Sequence, residues 1–242
     1  MHLLPNGTVF YSGPGPTSNI FDPSTQTWTT NVATTNYGGT RTYGSSVLLP
    51  LTPANNYQPR VMILGGANPA TDTTEIIDLS ASTPLWQYSA PMSQPRIEMN
   101  AVLLPSGKVL VLGGSSSDED ATTASLNADL FDPGAGTMSS AGANVYPRLY
   151  HSNGLLLPDA TVAVVGSNPA RGTYEGHIEI YSPAYLFTTD GNGNTIPATR
   201  PTISSVTPGV IGYGSRFQVA TSDARQHRVR RAGSCWFAHS CF

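Results

Sequence analysis

Cysteine is nearly absent from this chain. Of 242 residues only Cys235 and Cys241 carry a thiol, so residues 1–234 contain no possible disulfide. Lysine is rarer still, with Lys108 alone. Charged residues make up 11%, against about a quarter in an ordinary soluble domain. Such a surface excludes the Lys/Glu-rich exterior of a helical enzyme. No basic patch stands out before residue 225, and the net charge is −3, so nucleic acid is not an expected partner. Long apolar runs are also missing, and nothing approaches the roughly 20 residues that span a bilayer, so a membrane is not expected either. The first residues, MHLLPNGTVFYSG, have no basic head and are broken by Pro5 and Gly7, which is not a signal-peptide pattern.

What the chain has in quantity is glycine (24), proline (20) and hydrophobic residues (39%), the composition of a turn-rich all-β protein with a core. The phrase LLP–turn–apolar strand–Gly recurs from Leu3, Leu48, Leu103 and Leu156. A further apolar strand follows each copy: NIFDP, TEIIDL, ADLFDP and HIEIYSP. An arginine segment precedes the last three: RTYGSSV, RIEMNAV and RLYHSNG. A period of roughly fifty residues with strand, turn, strand and glycine is the pattern of a kelch-type propeller. The expected fold is therefore all-β: about four blades of a partial kelch-type β-propeller over residues 1–187. A linker containing DGNGN is expected at 188–199. The start of a truncated immunoglobulin-like β-sandwich follows at 200–224, and an aberrant tail at 225–242.

The succession RLYHS, LLLPD, SNP, IEIYSPAYLF and then RPTI…P…YG resembles the glyoxal oxidase and galactose oxidase family of copper radical oxidases, from Met1 to about Ala224. The resemblance implies a seven-bladed propeller with one copper ion on its axis. Tyr150 and His151 are the implied metal ligands, with Tyr150 also the catalytic acceptor of the substrate proton. The implied substrates are a small aldehyde or primary alcohol and O2, with hydrogen peroxide as product. The full-length relative is expected to be a secreted monomer. Imidazole and phenolate suit Cu(II), which prefers nitrogen and oxygen donors in a tetragonal array. Neighbouring side chains on a regular strand point to opposite faces, so this pair can share a metal only where the backbone turns.

The resemblance also implies a radical tyrosine cross-linked to a cysteine, on blades expected upstream of Met1, and a second copper histidine from the sandwich. Neither is found in residues 1–224. The chain is thus expected to be an inactive fragment. The tail holds both cysteines and four of the twelve basic residues, and a one-base shift of frame lets it read ANIASVVLVRAGSHTHAF, so it reads as frame-shifted. Cys235, His239 and Cys241 do not have zinc spacing. Tyr43, followed by Gly44, is expected to be structural, and His2, His177 and His227 to lie on the surface. The acidic run at 117–120 is expected to be a solvated loop, lacking the glycine and distant glutamate of a calcium loop. The alternative function is a non-catalytic kelch module binding a protein or glycan through Tyr11, Trp28, Trp86 or Tyr88. The tryptophans fit packing between units better.

Overall fold

The computed structural model describes residues 1–210 and 216–222. These fall into two compact units, Met1–Pro183 and a second beginning at Ala184. The first unit contains four antiparallel sheets in chain order. Sheet one holds β1 (His2–Leu3), β2 (Val9–Tyr11), β3 (Thr17–Asp22) and β4 (Thr27–Thr34). Sheet two holds β5 (Ser45–Leu48), β6 (Arg60–Leu64), β7 (Thr74–Asp78) and β8 (Trp86–Ser89). Sheet three holds β9 (Ile97–Leu103), β10 (Val109–Ser115), β11 (Asn127–Asp132) and β12 (Thr137–Ala143). Sheet four has three strands, β13 (Asn153–Leu156), β14 (Val162–Val165) and β15 (Glu179–Tyr181).

The recurring LLP phrase forms the first hairpin of each sheet. In sheet one Gly7 N–H donates to the Leu4 carbonyl at 2.9 Å, and in sheet three Gly107 N–H donates to Leu104 at 2.8 Å. Proline stands at the second turn position, where its fixed φ fits, and glycine takes the left-handed residue that closes the loop. The second turn of the first three repeats is set by an aspartate. Asp22, Asp78 and Asp132 each accept a hydrogen bond from the backbone N–H two residues on, at 2.8, 2.8 and 2.9 Å.

Strand register then aligns one apolar row per sheet. The rows are Leu3–Val9–Phe21–Trp28, Leu48–Val61–Ile77–Trp86, Leu103–Val109–Phe131–Met138 and Leu156–Val162–Tyr181. Because side chains alternate, sheet two buries one row against sheet one and the opposite row against sheet three. One core joins Leu4, Phe10 and Ala33 of the first repeat to Val61, Ile63, Ile77 and Trp86 of the second. Another joins Val47, Leu49, Met62 and Leu64 to Met99, Ala101, Val109, Val111 and Phe131. Trp86 is buried between sheets and donates its indole N–H to Ser18 Oγ at 2.9 Å, the packing role expected of it. Trp28 and Tyr88 are instead half exposed.

The shared arginines are the internal pins of this architecture, a role their recurrence alone does not reveal. Arg41 pairs with Glu75 at 2.9 Å, Arg96 with Asp129 at 2.6 Å and Arg148 with Glu179 at 2.8 Å. In each case the acid lies on the third strand of the sheet that the arginine introduces. Each guanidinium also donates to the carbonyl of a glycine at the end of the second strand or just after it: Gly65, Gly113 or Gly166, at 2.9, 3.1 and 3.0 Å. Burial pushes the Glu75 carboxyl up. The Arg41 guanidinium and the N–H groups of Asn36 and Tyr37 outweigh this and hold it below its usual range.

In the second unit β16 (Phe187–Thr189) pairs with β17 (Thr195–Pro197), and β18 (Ile203–Thr207) pairs with β19 (Gln218–Thr221). The segment expected as a linker therefore carries a hairpin, closed by Asp190 accepting from the N–H groups of Asn192 and Asn194. The tail from residue 225, with His227, Cys235, His239 and Cys241, lies outside the described residues. No helix among the described residues is long and apolar enough to cross a membrane.

Candidate metal centre

Leu149 to Ser152 form a tight turn immediately before β13, closed by Ser152 N–H donating to the Leu149 carbonyl at 2.9 Å. His151 occupies its third position with φ 61°, the left-handed region that a side chain rarely enters. This inversion breaks the strand alternation. Tyr150 and His151 consequently stand together, with ring centroids 4.0 Å apart and planes inclined at 30°. The pair is presented as the sequence reading requires, by a turn entering a strand.

The turn is held from three sides. Leu149 N–H donates to Ser167 Oγ at 2.8 Å, and Asn168 N–H donates to the Tyr150 carbonyl at 2.8 Å. Arg148, directly before the turn, is pinned by Glu179, and its carbonyl accepts from Gly114 N–H at 2.6 Å. Gly166 closes the back: with φ 68°, a Cβ there would lie 2.7 Å from the His151 carbonyl. Gly166→Ala should cost about 1–3 kcal/mol of unfolding free energy and displace the pair. A denaturant melt together with a copper titration of the variant checks both effects.

Tyr43, expected to be structural, stands beside Tyr150. It takes the third position of the corresponding turn before β5, with φ 56°, and its ring centroid is 5.5 Å from that of Tyr150. The two tyrosines line one cleft of about 490 Å³ with Asp118, Glu119, Asn168 and Arg171. Partial desolvation pushes the Tyr43 phenol up, helped by Tyr150, Asp118, Glu98 and Glu119. The acidic run is the expected loop, with Ser117 and Asp118 exposed, and it is tied to the cleft by ion pairs. Arg171 pairs with Glu119 at 3.0 Å and Asp118 at 3.6 Å, and Glu119 accepts from Asn168 Nδ2 at 3.1 Å. His2 is partly buried rather than on the open surface: it bonds Ser46 Oγ at 2.9 Å, and desolvation lowers it to about 3. His177 does lie at the surface, stacked on Tyr146 at 4.0 Å.

Glu98 is a residue the sequence reading passed over. It holds the same place after Arg96 that Tyr43 and Tyr150 hold after their arginines. It is buried, and neither carboxylate oxygen has a hydrogen-bond partner among the described residues. Burial first, then Asp118, push it up to about 8, while the nearby backbone of Glu119 and Tyr150 pulls weakly the other way. The folded state thus keeps a proton that the unfolded chain releases near its ordinary value of 4.5. Stability should fall as pH rises from there toward 8. Glu98→Gln should flatten that decline, gaining about 1–3 kcal/mol over the parent at pH 8 and little at pH 5. Urea melts at the two pH values measure it.

The donor chemistry fits copper in part. Tyr150 and His151 supply one oxygen and one nitrogen, the donor types that Cu(II) accepts. No group of three or more His, Cys, Asp or Glu placed to hold a metal occurs among the described residues.

The first unit is thus a repeated array of antiparallel sheets that carries a tyrosine–histidine turn beside a polar cleft. The chain belongs to the glyoxal oxidase family: the family described as glyoxal oxidase N-terminus matches residues 1–185. Aldehyde oxidase GLOX of Vitis pseudoreticulata is 31% identical over 256 residues, covering 92% of this chain and 46% of that protein. Galactose oxidase of Gibberella zeae is 30% identical over 129 residues, 51% of this chain and 18% of that protein. A fungal alcohol oxidase of the AA5 family, solved in complex with copper, superposes with TM-score 0.76 at 27% identity. That match covers 90% of this chain and 46% of the other. The chain thus spans less than half the length of these relatives.

Proposed function

We propose that this chain carries part of the copper site of an oxidase acting on an aldehyde or primary alcohol, with Tyr150 and His151 as metal ligands. The observation that supports it is the left-handed turn at His151, which sets a phenol and an imidazole side by side at the edge of a cleft. His151 would bind as a neutral imidazole. Tyr150 would bind as phenolate and take the proton of the substrate hydroxyl. Bound copper would supply the one-electron chemistry that links substrate oxidation to O2. The overall balance is RCH2OH + O2 → RCHO + H2O2, or the same two-electron loss from an aldehyde hydrate to the acid. Asp118, Glu119, Asn168 and Arg171 would orient the substrate's polar groups in the cleft.

The reading includes a limit on this chain itself. It is a portion of a longer propeller oxidase, four of seven blades with the opening of a sandwich, and is inactive alone. Residues 1–234 offer no cysteine for a thioether to a radical tyrosine, and among the described residues no second histidine is grouped with Tyr150 and His151 in a metal-holding cluster. An extracellular setting suits the release of peroxide by the full-length enzyme. The test is a peroxide assay with Cu(II), oxygen and a small aldehyde. No peroxide above a copper blank is expected, and clear turnover would overturn the reading of the chain as inactive.

A further inference from the structure

Asn6-Gly7-Thr8 is the one place in the 242 residues where an asparagine stands two positions before a serine or threonine with no proline between. That triplet is the acceptor pattern for an N-linked oligosaccharide, and it counts only on a turn that can be reached. Here it forms the tip of the hairpin between β1 and β2. Asn6 and Gly7 are exposed, and a Cβ added to Gly7 meets nothing within 4 Å. This exposure belongs to the position in the repeat. Sheet three shares a core with sheet two and is bonded to the first strand of sheet four through Asn100. Ser106, which holds the place of Asn6 between those two neighbours, is still exposed, as is Asp159 in sheet four.

Asn6 Oδ1 accepts from Thr8 N–H at 3.1 Å and from Thr8 Oγ1 at 2.8 Å. The backbone bond is an ordinary turn device, and Ser106 and Asp159 make its like with Lys108 and Thr161. What the first repeat adds to those two is a carboxamide nitrogen. An amide nitrogen is a weak nucleophile because its lone pair is shared with the carbonyl. A hydroxyl donating to Oδ1 draws charge onto the oxygen and makes an Nδ2 proton easier to lose. We propose that Asn6 is a modification site, which receives an oligosaccharide from a lipid-linked diphosphate donor when the protein passes through a secretory route. The inference rests on the extracellular setting proposed above. Asn6 Nδ2 bonds to the anomeric carbon of the first sugar and gives up one proton to a base of the transferase. The bond from that carbon to the diphosphate oxygen breaks, and the diphosphate leaves with the electron pair. In each sheet the LLP turn ends the first strand, whereas the turns of Tyr43 and His151 begin it. The oligosaccharide therefore stands at the end of the sheets away from the cleft and leaves it open.

The test is mass spectrometry of the peptide spanning Asn6, from the full chain given an export signal and secreted by yeast. An oligosaccharide is expected on that peptide. It should be lost in Thr8→Ala, which keeps Asn6 and the backbone N–H that bonds it, and kept in Thr8→Ser. An endoglycosidase should release it from the folded protein. An exported chain with bare Asn6 overturns the proposal, and so does an oligosaccharide that is released only after unfolding, since the turn would then be out of reach. The added signal makes both results independent of where the natural protein resides. A modified exported chain beside a natural protein with bare Asn6 would uphold the site and count against the extracellular setting.

Discussion

Arg96→Ala should lower the unfolding free energy by about 3–5 kcal/mol, the largest stability loss expected from any single arginine change in the chain. Arg96 is fully buried. Its guanidinium reaches Asp129 Oδ2 at 2.6 Å, the Gly113 carbonyl at 3.1 Å and the Asn127 carbonyl at 2.9 Å. Truncation leaves Asp129 buried with its charge no longer balanced, and this residual charge dominates the cost. Among the described residues Asp129 would keep Ser93, whose N–H and hydroxyl bond Oδ2 at 3.0 and 3.1 Å. The paired change Arg96→Met with Asp129→Leu should recover much of the loss, since an apolar pair of similar volume needs no charge balance. Urea melts of the two single variants and the double variant measure the coupling. A loss below about 1 kcal/mol for Arg96→Ala would mean that the ladder is ornamental to stability.

The second large effect falls on metal binding. His151→Ala and Tyr150→Phe should each weaken Cu(II) binding by more than the roughly 10–100-fold typical of losing a mere supporting group. Each removes one of the only two donors that the turn presents. Tyr43→Phe should have little effect on affinity, because its ring stands beside Tyr150 without being part of the turn. If the chain were instead a module binding a protein or glycan, His151→Ala would leave partner binding unchanged and no copper-dependent signal would be at stake.

Much of this was legible in the sequence because it is local. LLP with a following glycine dictates a hairpin, and period-two alternation dictates which residues share a face. The Tyr150–His151 turn was legible for the same reason, since only a backbone reversal lets neighbours cooperate. The arginine partners were harder to read, being 34, 33 and 31 residues away in sequence. A signal did exist: Glu75, Asp129 and Glu179 recur at the same place on the third strand. The place of Tyr43 beside Tyr150 was not legible because the glycine after it hid the likeness of its turn to that of His151. The pairing of Asp118 and Glu119 with Arg171 was not legible because Arg171 lies four strands further on, after β14. Glu98 gave no warning, because a lone glutamate entering a strand looks like any surface acid until the fold buries it.

The most direct test of the central claim is a Cu(II) titration of the chain followed by electron paramagnetic resonance and visible absorption. One copper per chain is expected, with nitrogen coupling that disappears in His151→Ala and a phenolate-to-copper band that disappears in Tyr150→Phe. Copper binding that neither change alters would show that the turn is not a metal site.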